Sequence, residues 1–115
     1  MLEKYRKIHW TEHVKLKMRQ YGLSKMKLMN VLRKPDRKEE GIAVDTTAVM
    51  KTANPASAKG YGRAKGEIWL MYQDNQYFRK IISAWRYPGI SKPGESIPIP
   101  KEIREELEKQ YESGR

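Results

Sequence analysis

The sequence predicts an α+β domain in two layers, in which a helical hairpin packs on an antiparallel β-sheet meander, with the element order β-α-α-β-β-β-α. Two amphipathic segments joined by a short glycine-containing turn indicate the hairpin. Three β-prone segments that follow one another indicate the sheet. The 115 residues suit one domain. We assign residues 1–99 to it and residues 100–113 to a C-terminal helix that is packed on it or appended to it.

The N-terminal half carries signals for where its elements begin and end. Residues 5–10 predict a short strand, because Tyr5, Ile8 and Trp10 supply apolar and β-prone side chains. Thr11 is a good N-cap for a helix that Gly22 terminates. Ser24 caps a second helix, which stops at Pro35. The connection between the helices is two or three residues long, so the sequence predicts a tight αα-hairpin.

The second half is predicted to be mostly strand. After a charged link over residues 37–40, we expect strands over residues 42–53, 67–73 and 76–87, and a helix from residue 100 to about residue 112. Four prolines between residues 88 and 100 exclude regular structure before that helix. The helix has a narrow apolar stripe of Ile103, Leu107 and Tyr111, which either packs on the sheet or meets a partner.

Charge and composition restrict the function classes. The formal net charge of +10 indicates a polyanion or an acidic protein as partner. The absence of cysteine excludes disulfides and thiolate metal sites and fits the reducing cytoplasm, where we expect the protein. No apolar run approaches the roughly 20 residues that cross a bilayer, so we expect no membrane association. Residues 1–37 hold 11 Lys/Arg against 3 Asp/Glu, whereas residues 101–115 hold 4 Lys/Arg against 5 Asp/Glu. The C-terminal segment therefore differs in charge from the basic remainder of the chain.

The two histidines, His9 and His13, lie four residues apart. On one helix this spacing would suit a metal. Here Thr11 separates them, because it places His9 in a strand and His13 in the first helical turn. We therefore predict neither a metal site nor a cofactor. For His13, a hydrogen-bonded structural role and a general acid/base role both stay open.

The long strand after residue 76 carries cations on both of its faces. Strict alternation places Phe78 and Arg86 on one face and Arg79 and Tyr87 on the other. A cation on an otherwise apolar strand face must extend to solvent, pair with an acid or line an anion site. Arg79, Arg86 and Tyr87 are our candidates for an anion site, and extension of the side chains at the sheet rim is the alternative.

The segment from residue 54 to residue 66 is small, glycine-bearing and basic. Its glycines would let a backbone approach phosphates, Lys59, Arg63 and Lys65 supply charge, and Tyr61 could stack on a base. The alternative is a basic hairpin loop without a ligand. The Gly-Lys-Ser/Thr spacing of a P-loop is absent.

The segment HWTEHVKLKMRQYGLSKMKLMNVLRKPDR resembles the opening of an uncharacterised branch of the RelE/ParE toxin superfamily. The matching positions are Trp10, Thr11, His13, Arg19, Gly22, Leu32, Pro35 and Asp36, and the later ISAWRYPG resembles the closing strand. The resemblance covers roughly residues 8–87. It implies two helices on an antiparallel sheet and an mRNA endoribonuclease toxin, in some members ribosome-dependent, that an antitoxin protein neutralises. ParE-type members instead poison DNA gyrase.

The leading hypothesis is a toxin-like endoribonuclease that cleaves mRNA by metal-independent acid/base chemistry. Its catalytic candidates are His13, Arg79, Arg86 and Tyr87. Arg19 joins the loop residues Lys59, Tyr61, Arg63 and Lys65 as a candidate for nucleic-acid binding. The alternatives are a non-catalytic basic module on nucleic acid or the ribosome, and a gyrase-directed toxin.

Overall fold

The computed structural model describes residues 6–53 and 66–111 and confirms the α+β class, with a helical hairpin on a mainly antiparallel sheet. The elements are β1 (Lys7–Trp10), α1 (Glu12–Tyr21), α2 (Lys25–Arg33), β2 (Arg37–Glu40), β3 (Thr46–Thr52), β4 (Glu67–Asp74), β5 (Phe78–Tyr87) and α3 (Lys101–Tyr111). The strands form one sheet in the order β1-β5-β4-β3-β2. Only β1 and β5 run parallel. The predicted charged link is β2, which adds a strand to the expected order.

The helical hairpin covers one face of the sheet. Alternate residues of β4, Ile68, Leu70 and Tyr72, share a buried cluster with Val14 of α1 and Leu28 of α2. The predicted caps are confirmed, because Thr11 and Ser24 each accept a backbone N–H of the following turn. Gly22 ends α1 in the left-handed region at φ 68°, which favours glycine. These local signals fix the tight hairpin that the sequence predicts.

The C-terminal helix α3 lies on the opposite face of the sheet. The intervening residues of β4, Trp69 and Met71, form a second buried cluster with Ile103 and Leu107 of α3. Trp69 stacks on Trp85 across the β4–β5 pair, with 6.1 Å between the ring centroids. Helices therefore cover both faces, one layer more than the sequence predicts. The side chain of Tyr111, the expected third member of the apolar stripe of α3, is not among those that the structure describes.

Strand β5 contains an irregularity that changes which residues share a face. Met71 pairs with Ser83 and Tyr72 pairs with Ile81, so Ile82 is left between two ladder positions. As a result Ile81 and Ala84 belong to the hairpin-side cluster, whereas Ile82 and Trp85 belong to the α3-side cluster. The alternation predicted from the sequence is correct before Ile82 and is shifted after it.

Helix α1 lies along the part of β5 that β1 does not cover. β1 pairs with β5 only from Phe78 to Ile81. The Thr11 hydroxyl then donates to the Ile81 carbonyl at 2.9 Å, and the Thr11 N–H donates to the same oxygen at 3.3 Å. At the other end of the helix, the Arg86 guanidinium donates to the carbonyls of Tyr21 and Gly22. Both ends of α1 are thus hydrogen-bonded to β5.

A buried polar network ties β2 and β4 to the proline-rich segment after β5. The Glu67 carboxylate is 2% exposed and accepts the Ser91 hydroxyl, the Ser91 N–H and the Trp69 indole N–H. Arg37, which is 5% exposed, donates to the same Ser91 oxygen at 2.6 Å and to Glu39 at 2.7 Å. Its guanidinium lies 5.2 Å from the Trp69 ring centroid. The two buried charges are therefore connected through one hydroxyl.

We expect Arg37→Ala to lower the free energy of unfolding by about 3 kcal/mol or more, because it leaves buried Glu67 without the cation that reaches it through Ser91. Urea unfolding monitored by circular dichroism measures this loss. Arg33→Ala is the matched control, since Arg33 is exposed on α2 and should change the stability by no more than about 0.5 kcal/mol. Equal effects of the two substitutions would contradict the structural role given to Arg37.

Candidate functional site

The histidine that the sequence singles out lies where α1, α3 and β5 meet. The His13 Nε2 atom is 3.1 Å from the Ser83 hydroxyl oxygen and 3.7 Å from Glu106 Oε1. Its side chain is 16% exposed. Burial lowers the pKa of His13 below its usual value, and nearby Lys17 acts in the same direction, whereas Glu106 opposes them. The imidazole is therefore held mainly neutral at neutral pH.

Polar side chains continue from His13 along the contact between α1 and α3. The Lys17 ammonium, on a residue only 6% exposed, lies 3.2 Å from Glu106 Oε1 and donates to Gln20 Oε1. Gln20 Nε2 donates to Glu102 at 2.9 Å. Glu106 Oε1 is buried, and among the described residues it has no partner with hydrogen-bond geometry. The Lys17–Glu106 contact is therefore an ion pair at a poor angle.

Arg79 is engaged by neighbours on its own hairpin. Its Nε and Nη2 atoms donate to the two carboxylate oxygens of Asp74 at 2.7 and 2.8 Å. The guanidinium also lies 4.1 Å from the Tyr72 ring centroid. The hydrogen bonds to Asp74 raise the pKa of Arg79, and burial works against them. This bidentate pair closes the β4–β5 hairpin, occupies the Nε–Nη2 edge of the guanidinium and neutralises its charge.

Arg86 and Tyr87 lie at the opposite end of β5. Arg86 caps the C-terminal carbonyls of α1, where a cation also suits the helix dipole. Tyr87 packs beside the α3-side cluster, and its ring lies against Gly89. Arg79 and Arg86 are seven positions apart along the strand, which corresponds to about 23 Å. The structure brings none of these three residues to His13.

The predicted nucleic-acid-binding residues divide into two groups. Arg19 is exposed in the last turn of α1 and lines a groove formed by α1 and the turn before α2. Lys59, Tyr61, Arg63 and Lys65 lie outside the described residues. They belong to the connection between β3 and β4, whose paired ends, Thr52 and Glu67, are described.

The outward side of the helical hairpin carries a group of cations around α2. We call this group the hairpin surface, and it consists of Lys15, Arg19, Lys25, Lys27, Arg33 and Lys34. Lys15 and Arg19 line a groove formed by α1 and the turn that follows it, and Lys27 and Lys51 line a second groove between α2 and the end of β3. The Lys25 ammonium lies 5.4 Å from the Trp10 ring centroid. The pattern that could reveal this surface is the near absence of acids between residues 12 and 34.

Sequence reasoning missed the residues that surround His13. Lys17 lies four residues after His13 on α1, and Glu106 lies four residues after Glu102 on α3, so helical spacing does place each pair on one side. Helical spacing does not reveal that α3, which lies on the opposite face of the sheet, also contacts α1. The Ser83 hydroxyl is turned toward His13 by the irregularity at Ile82.

We expect the free energy of unfolding to fall as the pH drops below about 6.5, the ordinary histidine pKa. Near that pH the histidine of the unfolded chain takes up a proton, whereas folded His13 stays neutral because its pKa is lowered. The contribution of His13 to stability is therefore complete above about pH 6.5 and is lost as the pH falls toward the lowered pKa of the folded state. Urea unfolding between about pH 7.5 and 5 measures it. His13→Gln should flatten the profile, and His9→Gln, the matched control, should keep it. Retention of the fall in His13→Gln would contradict the assignment.

Within residues 6–53 and 66–111, no helix is long and apolar enough to cross a membrane. The same ranges contain no group of three His, Asp or Glu residues arranged to hold a metal ion. Comparisons of the chain with protein-family models, curated proteins and solved structures found no match.

Proposed function

We propose that the protein binds RNA through the hairpin surface. The observation that carries this proposal is the excess of positive charge there, since residues 12–34 hold seven Lys/Arg against one acid, Glu12. One of the seven, Lys17, is buried toward α3, and the other six form the hairpin surface. Lysine and arginine on one side of a domain are the usual electrostatic contacts for phosphates.

The contacts of these cations leave their charge available. Among the described residues, the ion pairs include only one member of the hairpin surface, Lys15, which lies 3.3 Å from Glu12. That pair is exposed and worth little. By contrast, the buried cations Arg37 and Lys17 and the half-buried Arg79 are paired with carboxylates. The fold thus neutralises its inner cations and leaves the outer cations to a partner.

The opposite side of the domain has a different electrostatic character. Helix α3 carries four glutamates against three Lys/Arg. A polyanion would therefore approach the hairpin surface and avoid the outer side of helix α3 itself. The RelE/ParE resemblance of the hairpin sequence supports RNA, free or in the ribosome, over DNA as that polyanion. Binding to the ribosome would use the same phosphate contacts.

We expect Arg19→Gln/Lys27→Gln to weaken binding of single-stranded RNA and to flatten its dependence on salt. Each lost phosphate contact should reduce the slope of log Kd against log salt by about 0.7, so the pair should reduce it by about 1.4. Fluorescence anisotropy with labelled RNA over a salt series measures both quantities.

The matched control is Lys101→Gln/Lys109→Gln, which removes the same charge from exposed positions of α3. Its salt slope should equal that of the wild type. Equal slopes for all three proteins would show that neither pair of cations contacts the RNA phosphates, and equal losses in both double variants would show that the charge acts without regard to position. Either result would reject the hairpin surface.

A second candidate function is the toxin-like endoribonuclease, with an antitoxin as protein partner. The observation that favours it is the meeting of an imidazole, a hydroxyl, an ammonium and a carboxylate at His13, Ser83, Lys17 and Glu106. A histidine kept neutral by its surroundings can accept the proton of an attacking 2′-hydroxyl, and a neighbouring ammonium can stabilise phosphate charge. The limited exposure of the imidazole is the argument against it.

This candidate predicts that the purified protein cleaves RNA, with or without ribosomes, and that His13→Gln lowers the rate at least about 100-fold. Gel analysis of end-labelled RNA measures the rate, and thermal melting verifies that each variant is folded. The Lys101→Gln/Lys109→Gln variant, whose changes lie on α3 outside both the hairpin surface and the site around His13, should cleave like the wild type. An intact substrate under both conditions would reject the nuclease and leave the RNA-binding proposal in place.

A further inference from the structure

A second surface combines aromatic rings with cations on the sheet face that carries α3. Parallel pairing sets Lys7 beside Phe78 and His9 beside Lys80. Alternate strand residues share a face, so the four side chains emerge together. We call this set, with Asn75 of the adjacent turn, the β1–β5 platform. The His9 and Phe78 rings meet edge to face, with 6.5 Å between their centroids.

The exposure of the platform is unusual for residues of this size. Phe78 is 43% exposed, and its neighbour Tyr77 is 68% exposed. The α3-side cluster extends along β5 to Ile82 but does not include Phe78. The exposed Phe78 ring, with Lys7 and Lys80 beside it, is therefore typical of a surface that contacts a partner and not of a core position.

A small cavity lies on this surface. Its volume is about 200 Å³, and its walls are His9, Asn75, Phe78 and Lys80. This volume is below the range of most small-molecule sites, so the cavity takes one small planar group. Aromatic rings offer such a group a stacking face, and the adjacent ammonium groups attract anions. A nucleobase with its flanking phosphates meets both requirements.

Hydrogen bonds hold the platform in place before any ligand arrives. The Asn75 side-chain oxygen accepts the N–H groups of Tyr77 and Phe78 at 2.8 and 2.7 Å. Arg6 Nε donates to the Asn75 carbonyl at 2.7 Å, which ties the turn to the chain just before β1. These bonds leave the Asn75 amino group as a donor for an acceptor on a base. A fixed platform loses little entropy on binding.

We infer that the β1–β5 platform stacks a base of single-stranded RNA on Phe78, with Lys7 and Lys80 contacting the adjacent phosphates. The choice of RNA rests on the function proposed above. The requirement for a single strand follows from the platform itself, because a base inside a duplex has no free face to offer.

The platform and the hairpin surface share the edge strand β1. Trp10, the last residue of β1, packs with the hairpin-side cluster and lies under the Lys25 ammonium. His9, one residue earlier, belongs to the platform. A single strand that passes over the β1 edge would therefore contact phosphate-binding cations on one side and the stacking ring on the other.

Fluorescence anisotropy with a short labelled single-stranded RNA, and with a duplex of equal length, tests the platform. Phe78→Ala should weaken single-strand binding by about 5-fold to 150-fold, the range that loss of one base–aromatic stack gives, and should leave duplex binding unchanged. Phe78→Trp should preserve the single-strand preference. The control is Ile90→Ala, which removes an apolar side chain 56% exposed elsewhere on the surface and should change neither affinity.

The outcomes separate this inference from the function on which it rests. Unchanged single-strand affinity in a folded Phe78→Ala protein, beside a loss in Arg19→Gln/Lys27→Gln, would overturn the platform and leave the hairpin surface standing. No RNA binding by the wild type would overturn both. Tighter binding of single-stranded DNA of the same base sequence would overturn the assignment to RNA.

Discussion

The attachment of α1 to the uncovered edge of β5 is the constraint on which the rest of the structure depends. β1 pairs with only the first four residues of β5, and α1 continues along the strand where β1 stops. Thr11 fastens the start of the helix and Arg86 fastens its end. Because the inner side of α1 is fixed in this way, the cations on its outer side, Lys15 and Arg19, must face solvent.

The catalytic candidates of the sequence each have partners within the fold, and for Arg86 the partner is the attachment of α1 itself. A guanidinium beside the last carbonyls of a helix satisfies acceptors that would otherwise lack donors, and this is what Arg86 does. Arg79 is held by Asp74 and Tyr72 in the β4–β5 hairpin. His13 faces Ser83 and the polar contact with α3. Among the described residues, the hairpin surface and the β1–β5 platform carry exposed or partly exposed cations on opposite faces of the sheet.

Local chemistry predicted the hairpin well, and tertiary contacts decided what the sequence could not. The caps Thr11 and Ser24 and the terminator Gly22 depend on a few neighbouring residues, so their patterns were sufficient. β2 was missed because its four charged residues have low strand propensity, and only backbone pairing with β3 makes them a strand. The apolar stripe of α3 shows that the helix is amphipathic, but it does not show which face of the sheet receives it. The irregularity at Ile82 likewise has no signature in the sequence.

The central claim is that one nucleic-acid strand contacts the outer side of the hairpin and the β1–β5 platform together. Amide chemical-shift mapping of isotope-labelled protein during titration with single-stranded RNA tests it most directly. We expect shifts that move together along α1, α2, β1 and the start of β5, with α3 and β2 unaffected. Shifts concentrated on α3 and β2, or none at saturating RNA, would contradict it.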